Sequence, residues 1–213
     1  AGPPVSAAAS VRVRPLTCDA LVAALADLAA LRIAVFRAFP YLYDGDHAYE
    51  RRYLSTYADS PGAILVAAFD GPRLVGAATG TPMEDHEDDF AAPLAEAGIA
   101  ELEVFYCAES VLLPKYRGRG IGHRFFDLRE DHARRLGRRY AAFCGVVRPA
   151  DHPLRPADYR PLDGFWRKRG YAPLPGAVAT FSWKDVDRPA ETEKRLQFWL
   201  RRLDADARED AAP

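Results

Sequence analysis

The chain has 213 residues, 49% of them hydrophobic, and a formal net charge of −1 at pH 7. Such a balance excludes the basic field that a nucleic-acid binder uses to neutralise phosphates, and no apolar run reaches membrane-spanning length. The three cysteines, Cys18, Cys107 and Cys144, have no metal-like spacing, so the expectation is a cytoplasmic protein with reduced thiols, no metal, no nucleic-acid partner and no membrane contact.

Length and apolar content suit one well-buried domain, expected over residues 11–203. Residues 1–10 are rich in Ala, Pro and Ser and lack a basic stretch followed by an apolar one, so they read as a disordered leader. Val11–Leu16 alternates like a first strand, and Asp19 is placed to cap an Ala/Leu-rich helix that runs to about Phe39 and stops at Pro40. Tyr49, Tyr53, Leu54 and Tyr57 recur at helical spacing. Ile64–Phe69 and Leu74–Thr79 flank Asp70-Gly71, a hairpin signature. The acidic segment 84–89 reads as a solvated loop, with a short helix around Phe90–Ala97. A strand from about Leu102 to Leu113 then meets a basic, glycine-rich turn and a helix reaching about Leu136, with Gly137 suited to its C′ position.

Tyr140–Val147 is the next strand. Four prolines within Arg148–Asp163 deny that stretch a long helix or a central strand. A short helix, Leu162–Arg169, ends at Gly170. Tyr171–Leu174 and Ala177–Trp183 flank Pro175-Gly176 as a final hairpin. Leu196, Trp199, Leu200 and Leu203 have the spacing of a closing amphipathic helix, and 204–213 reads as a frayed tail. The adjacent Phe198 and Trp199 call for burial, and the last hairpin and helix are where a homodimer would form.

The stretch Glu109–Gly122 carries the chemistry. An apolar strand reaches Pro114, passes Arg117, Gly118, Arg119, Gly120, Ile121 and Gly122, and enters a helix with Ile121, Phe125 and Leu128 on its apolar face. Glycines let the turn adopt positive φ, so its N–H groups can converge on an anion beside the positive end of the helix. Neither the Walker spacing nor G-x-G-x-x-G is met. What does fit is R-x-x-G-x-G, as Arg117, Gly120 and Gly122.

This pattern resembles the pyrophosphate-binding motif of the GNAT superfamily of acyl-CoA-dependent N-acyltransferases. Phe165-Trp166-Arg167-Lys168-Arg169-Gly170-Tyr171 resembles a second family feature, the ending of a late helix. The resemblance implies an α/β (α+β) fold: a mixed, twisted sheet of about seven strands split in a V, with helices on both faces. It implies acetyl-CoA as co-substrate, with backbone groups of Leu112 and Leu113 pairing with the pantetheine arm. The N–H groups of Arg117, Gly118, Arg119, Gly120, Ile121 and Gly122 would hold the pyrophosphate, and the Leu112 N–H would face the thioester oxygen.

The implied reaction is transfer of an acetyl group to a primary amine of a small molecule, amino acid or protein by direct attack on the thioester. The alternative is a non-catalytic acyl-CoA sensor or scaffold. An amine must lose a proton before it attacks, and Glu109 on the motif strand is the expected base. Some polyamine-acetylating relatives carry an acid at the matching position. Relatives place a tyrosine acid where this chain has Trp166, whose indole cannot give up its proton. Tyr159, Tyr171 and Cys144 are the substitutes, with Tyr159 placed first. The acceptor pocket is expected among Phe39, Tyr41, Tyr43 and Tyr53 with Asp44 and Asp46, an aromatic wall suited to a cationic amine, with Tyr106 also in the wall. Arg148, Asp151 and His152 open the proline-rich insertion, which either walls the site or forms a rigid surface loop.

Overall fold

The computed structural model describes residues 10–86 and 90–204. The expected leader (all but residue 10), the tail beyond 204 and the end of the acidic segment, 87–89, lie outside the described residues.

Strand β1 (Arg12–Leu16) leads into helix α1 (Cys18–Phe36), whose cap residue is Thr17 rather than Asp19. Helix α2 (His47–Asp59) starts at Asp46, whose carboxylate accepts from the Tyr49 N–H at 2.8 Å. Strands β2 (Ile64–Asp70) and β3 (Arg73–Pro82) form the expected hairpin, with Gly71 at φ 58° in its turn. After the short α3 (Ala92–Glu96), β4 (Val104–Leu112) delivers the chain to the glycine-rich turn and to α4 (Ile121–Arg135). Then follow β5 (Tyr140–Val146), α5 (Asp163–Lys168), β6 (Ala172–Lys184) and β7 (Glu191–Arg202).

The seven strands form one sheet in the order β1-β2-β3-β4-β5-β7-β6. All neighbours are antiparallel except β4 and β5, which pair in parallel through Val104–Tyr140, Phe105–Ala141 and Tyr106–Ala142. Beyond Tyr106 the two strands carry on to Leu112 and Val146 with no further pairing, so the sheet parts there as expected. Period-two alternation sends Leu65, Ala67 and Tyr106 to the side of Leu28 and Tyr57 on α1 and α2. Ile64, Val66 and Phe105 go to the side of Phe125 on α4. Both faces are therefore covered.

Two expectations near the C-terminus are corrected. Residues 196–203 do not form a helix: all but Leu203 belong to β7, inserted between β5 and β6. Leu196, Phe198 and Leu200 face one side of the sheet, while Trp199 and Leu203 face the other, so the helical spacing is the overlay of two buried strand faces. Nor do Tyr171–Leu174 and Ala177–Trp183 pair as a hairpin. From Ala172 onward both belong to β6, with an irregularity between Pro173 and Val178 and Gly176 at φ 76°, and both pair with β7. With Phe198 and Trp199 covered inside this chain, they give no ground for a second copy.

One irregularity positions the site. Ala78 pairs with Ser110 but Gly80 pairs with Cys107, so β4 carries one extra residue across from Thr79. This bulge reverses the parity of the strand. Tyr106 and Ala108 face α1 and α2 before it, and Glu109 and Val111 face the same helices after it. Arg129 of α4, 1% exposed, clamps the kink from behind. Its Nη1 donates to Thr79 O at 3.1 Å and Glu109 O at 3.3 Å, and its Nη2 donates to Ser110 Oγ at 2.8 Å. Arg129→Met strands those acceptors, so urea unfolding is expected to show a loss of roughly 2–4 kcal/mol. Stability equal to that of the natural chain would mean that the clamp is not needed.

Candidate active site

The bulge aims Glu109 into a half-open cleft between α1, α2 and the parted strands, with a cavity volume of about 90 Å³. Glu109 is 5% exposed. Its Oε2 accepts from Tyr57 Oη at 2.8 Å and Tyr53 Oη at 3.3 Å. Its Oε1 lies 3.1 Å from Arg32 Nη1, close enough for an ion pair, yet it has no partner in hydrogen-bond geometry.

Arg32 was not anticipated. It lies on the buried stripe of α1 with Leu21, Leu28 and Phe36, and its Nε donates to Glu50 Oε2 at 2.7 Å. Glu50 is fully buried on α2 and also accepts from Tyr43 Oη at 2.7 Å. Burial opposes the charge of Arg32, but Glu109, Tyr53 and Glu50 outweigh it and hold the guanidinium protonated. The sequence signal was available: Arg32 falls four residues from both Leu28 and Phe36, and Glu50 falls four before Leu54. A lone charge on an apolar stripe calls for a buried partner.

Tyr41, Tyr43, Tyr53 and Tyr106 all line the cleft. Burial, with neighbouring groups, pushes the Tyr41 phenol up to about 12 and raises those of Tyr53 and Tyr106. Phe39 is not in the lining; it packs on Tyr159 and His152 with ring centroids 4.8 and 5.8 Å away. Asp44 and Asp46 do not join the wall either. Asp44 pairs with Arg37 and Lys184, and Asp46 caps α2.

Of the three substitutes for the acid, Cys144 lines the cleft and Tyr159 and Tyr171 do not. Tyr171 instead donates to Glu130 on the α4 side. Burial raises the Cys144 thiol well above its ordinary value, while a hydrogen bond with Tyr106 works against that rise. The proline-rich insertion reaches the wall through Arg148, which donates to Pro40 O and Tyr41 O at 2.7 Å each and grips both oxygens of Asp185. Asp151 and His152 do not line the cleft.

The glycine-rich turn lies beyond the end of β4. Tyr116 anchors it to the β2–β3 hairpin, donating to Asp70 Oδ2 at 2.6 Å. Gly118 and Gly120 have φ of 76° and 80°, a region that L side chains avoid. Ile121 and Gly122 open α4, where N–H groups have no carbonyl of the same helix to bond. Lys115, Arg117 and Arg119 are exposed, and among the described residues none is paired with a carboxylate. Arg117 Nε donates to Leu112 O at 3.0 Å. The Leu113 N–H is already given to Val75 O at 3.0 Å, so alternation turns the N–H of Leu112 away from β3, toward the open edge. Among the described residues no metal-binding cluster is present, and no helix is long and apolar enough to cross a membrane.

His86 also lines the cleft, and sequence reasoning passed over it. It is 9% exposed, its Nδ1 has no partner, and burial lowers its imidazole to about 4. An unfolded imidazole titrates near 6.5, so the unfolded chain binds the proton first. His86 therefore leaves stability intact above about pH 6.5 and costs up to roughly 3 kcal/mol as pH falls toward 4. Urea unfolding of His86→Phe is expected to show a shallower loss between pH 7 and 4.5 than the natural chain; an unchanged slope would contradict this.

The family model for the acetyltransferase (GNAT) family matches residues 28–156, more than half of the chain. No match was found among curated proteins. Among solved structures, an N-acetyltransferase from Staphylococcus aureus superposes with a TM-score of 0.57 at 12% identity, covering 91% of this chain and 99% of the other. A polyamine N-acetyltransferase from Drosophila melanogaster gives 0.53 at 15% identity, covering 91% and 100%. A PaiA N-acetyltransferase from Thermoplasma acidophilum, in complex with coenzyme A, gives 0.51 at 13% identity, covering 91% and 99%. At these identities the structures speak for the fold; the matched family model, with the parted sheet and the glycine-rich turn, places this chain in the GNAT acetyltransferase family.

Proposed function

We propose that the chain transfers the acetyl group of acetyl-CoA to a primary amine, with Glu109 as the base. The observation that carries this reading is the Glu109 carboxylate, which lines the cleft while Tyr57, Tyr53 and Arg32 surround it. Oε1 is enclosed beside Arg32, so the amine proton would reach the carboxylate through a bridging water or after a small shift of Arg32. Tyr57 and Arg32 hold the carboxylate from two sides, so its orientation does not depend on the substrate.

The turn suits the phosphates of acetyl-CoA: positive-φ glycines, helix-start N–H groups and three cations without carboxylate partners among the described residues. When bound, acetyl-CoA would supply a thioester carbon open to attack. Leu112 would donate its N–H to the thioester oxygen as negative charge grows there. Leu113, with its N–H engaged, would contribute side-chain packing rather than the backbone pairing first expected. Cys144 is favoured over Tyr159 by position alone, because it lines the cleft; burial makes its thiol a weak acid, so water is the competing proton source for the leaving sulfur. In balance, the ammonium gives one proton to Glu109 and the nitrogen gives up a second to solvent once the C–N bond has formed. The C–S bond breaks, the thiolate takes up one proton from water, and Glu109 returns its proton to solvent, so one proton is released in all.

Thiol release on a panel of amines, run beside calorimetric titration with CoA, tests this. Glu109→Gln is expected to lower kcat on the order of 10²- to 10⁴-fold while leaving CoA affinity nearly unchanged. Arg117→Ala is expected to weaken CoA binding by about tenfold. Undiminished turnover in Glu109→Gln would remove the carboxylate from the mechanism. CoA binding with no turnover on any amine would favour the sensor reading.

A further inference from the structure

The cleft also limits what can bind in it. We infer that the acceptor is a primary amine on an aromatic or alkyl body, with no acidic group next to the nitrogen. This rests on the acetyl-transfer reading above and narrows its substrate.

Charge comes first. Among the described residues that line the cleft, the formal charges are Arg32 and Glu109, since His86 is neutral at pH 7 and the buried phenols and thiol keep their protons. Arg32 already faces two carboxylates, Glu50 at 2.7 Å and Glu109 at 3.1 Å, and the rings of Tyr53 and Phe36 lie over it at 4.2 and 5.2 Å. A substrate carboxylate would have to compete with both for the one cation in the lining. The lining charges cancel, and Glu50, bonded to Arg32 from outside the lining, gives the buried group as a whole a formal surplus of one negative charge, which favours an incoming ammonium. The carboxylate of an α-amino acid would be carried into the same space unpaired, and an unpaired buried charge is costly.

Shape comes second. Phe36, Tyr41, Phe90, Phe181 and Trp183 complete a wall made mostly of rings. Apolar walls with a single polar anchor select the body of a ligand by area and shape. Arg148 and Lys194 back the wall but are held by Asp185, and Arg52 lies outside, in a neighbouring groove that shares Tyr49, Tyr53 and Phe181 with the cleft. The rings of Tyr53 and Phe181 meet edge-on at 6.3 Å on that boundary. An acid adjacent to the amine at Glu109 is therefore held on the inner side of those rings, away from Arg52. Phe181 bounds the space left for the body.

Three acceptors separate charge from bulk: 2-phenylethylamine, phenylalaninamide and phenylalanine, assayed by thiol release with acetyl-CoA, with spermidine as a polyamine control. The expected order of kcat/KM places phenylalanine on the order of 100-fold or more below 2-phenylethylamine, with the neutral amide near the amine. Phe181→Ala is expected to shift preference toward a naphthyl-bearing ethylamine by about tenfold. Phenylalanine turned over as well as its amide, or spermidine preferred to all three, would overturn the inference and leave acetyl transfer standing. Preference for a long-chain acyl-CoA with methylamine would assign the cleft to the donor and also overturn it. CoA binding with no turnover of any amine would remove the transferase reading and this inference with it.

Discussion

One extra residue in β4 is the constraint on which the site depends. Without the bulge opposite Thr79, strand alternation would send Glu109 toward α4, on the side of Phe105, Cys107 and Phe125 and away from the cleft. With it, Glu109 turns to Arg32, Tyr53 and Tyr57. The kink leaves carbonyls of β3 and β4 out of the regular ladder, and Arg129 meets them from the helix that begins at the glycine-rich turn. The element that would hold acetyl-CoA and the residue that would take the proton are thus joined by a fully buried side chain.

A second constraint is the parting of β4 from β5. It opens one edge of β4 and gives the cleft its floor, but it also removes hydrogen bonds from the centre of the sheet. The opposite wall is held by charge. Asp185, 4% exposed, is gripped by Arg148 from the proline-rich insertion and by Lys194 of β7 at 3.0 Å, while Arg148 also fixes the carbonyls of Pro40 and Tyr41. Breaking a buried ion group by removing one member is far costlier than its net worth to stability, so these contacts work mainly to fix positions. Three segments distant in sequence are thereby pinned around the aromatic wall.

Most of the fold was legible because its signals are local. The Asp70-Gly71 turn, the stop at Gly137 and the strand-turn-helix at Glu109–Gly122 each declare themselves within a few residues. The end of the chain misled for a stated reason: β7 is buried on both faces, and residues 196, 199, 200 and 203 then mimic a helical stripe. At the site, Glu109 and the tyrosines of the wall were named from pattern and resemblance. The bulge has no signature in the chain, because it is a relation between two strands. Arg32 and Glu50 did leave a trace, as charges on apolar stripes, and it was not followed. Tyr159 was placed first as the acid by proximity in sequence, and the fold instead packs it on Phe39 and sets Cys144 in the lining.

The central claim is that the open edge of β4 receives acetyl-CoA. Amide hydrogen exchange at single-residue resolution, with and without CoA, tests it most directly. The Leu113 amide, bonded to Val75, should be slow in both states, while the Leu112 amide should be fast alone and slow markedly when CoA binds. Bound CoA that leaves Leu112 exchange unchanged would contradict the account.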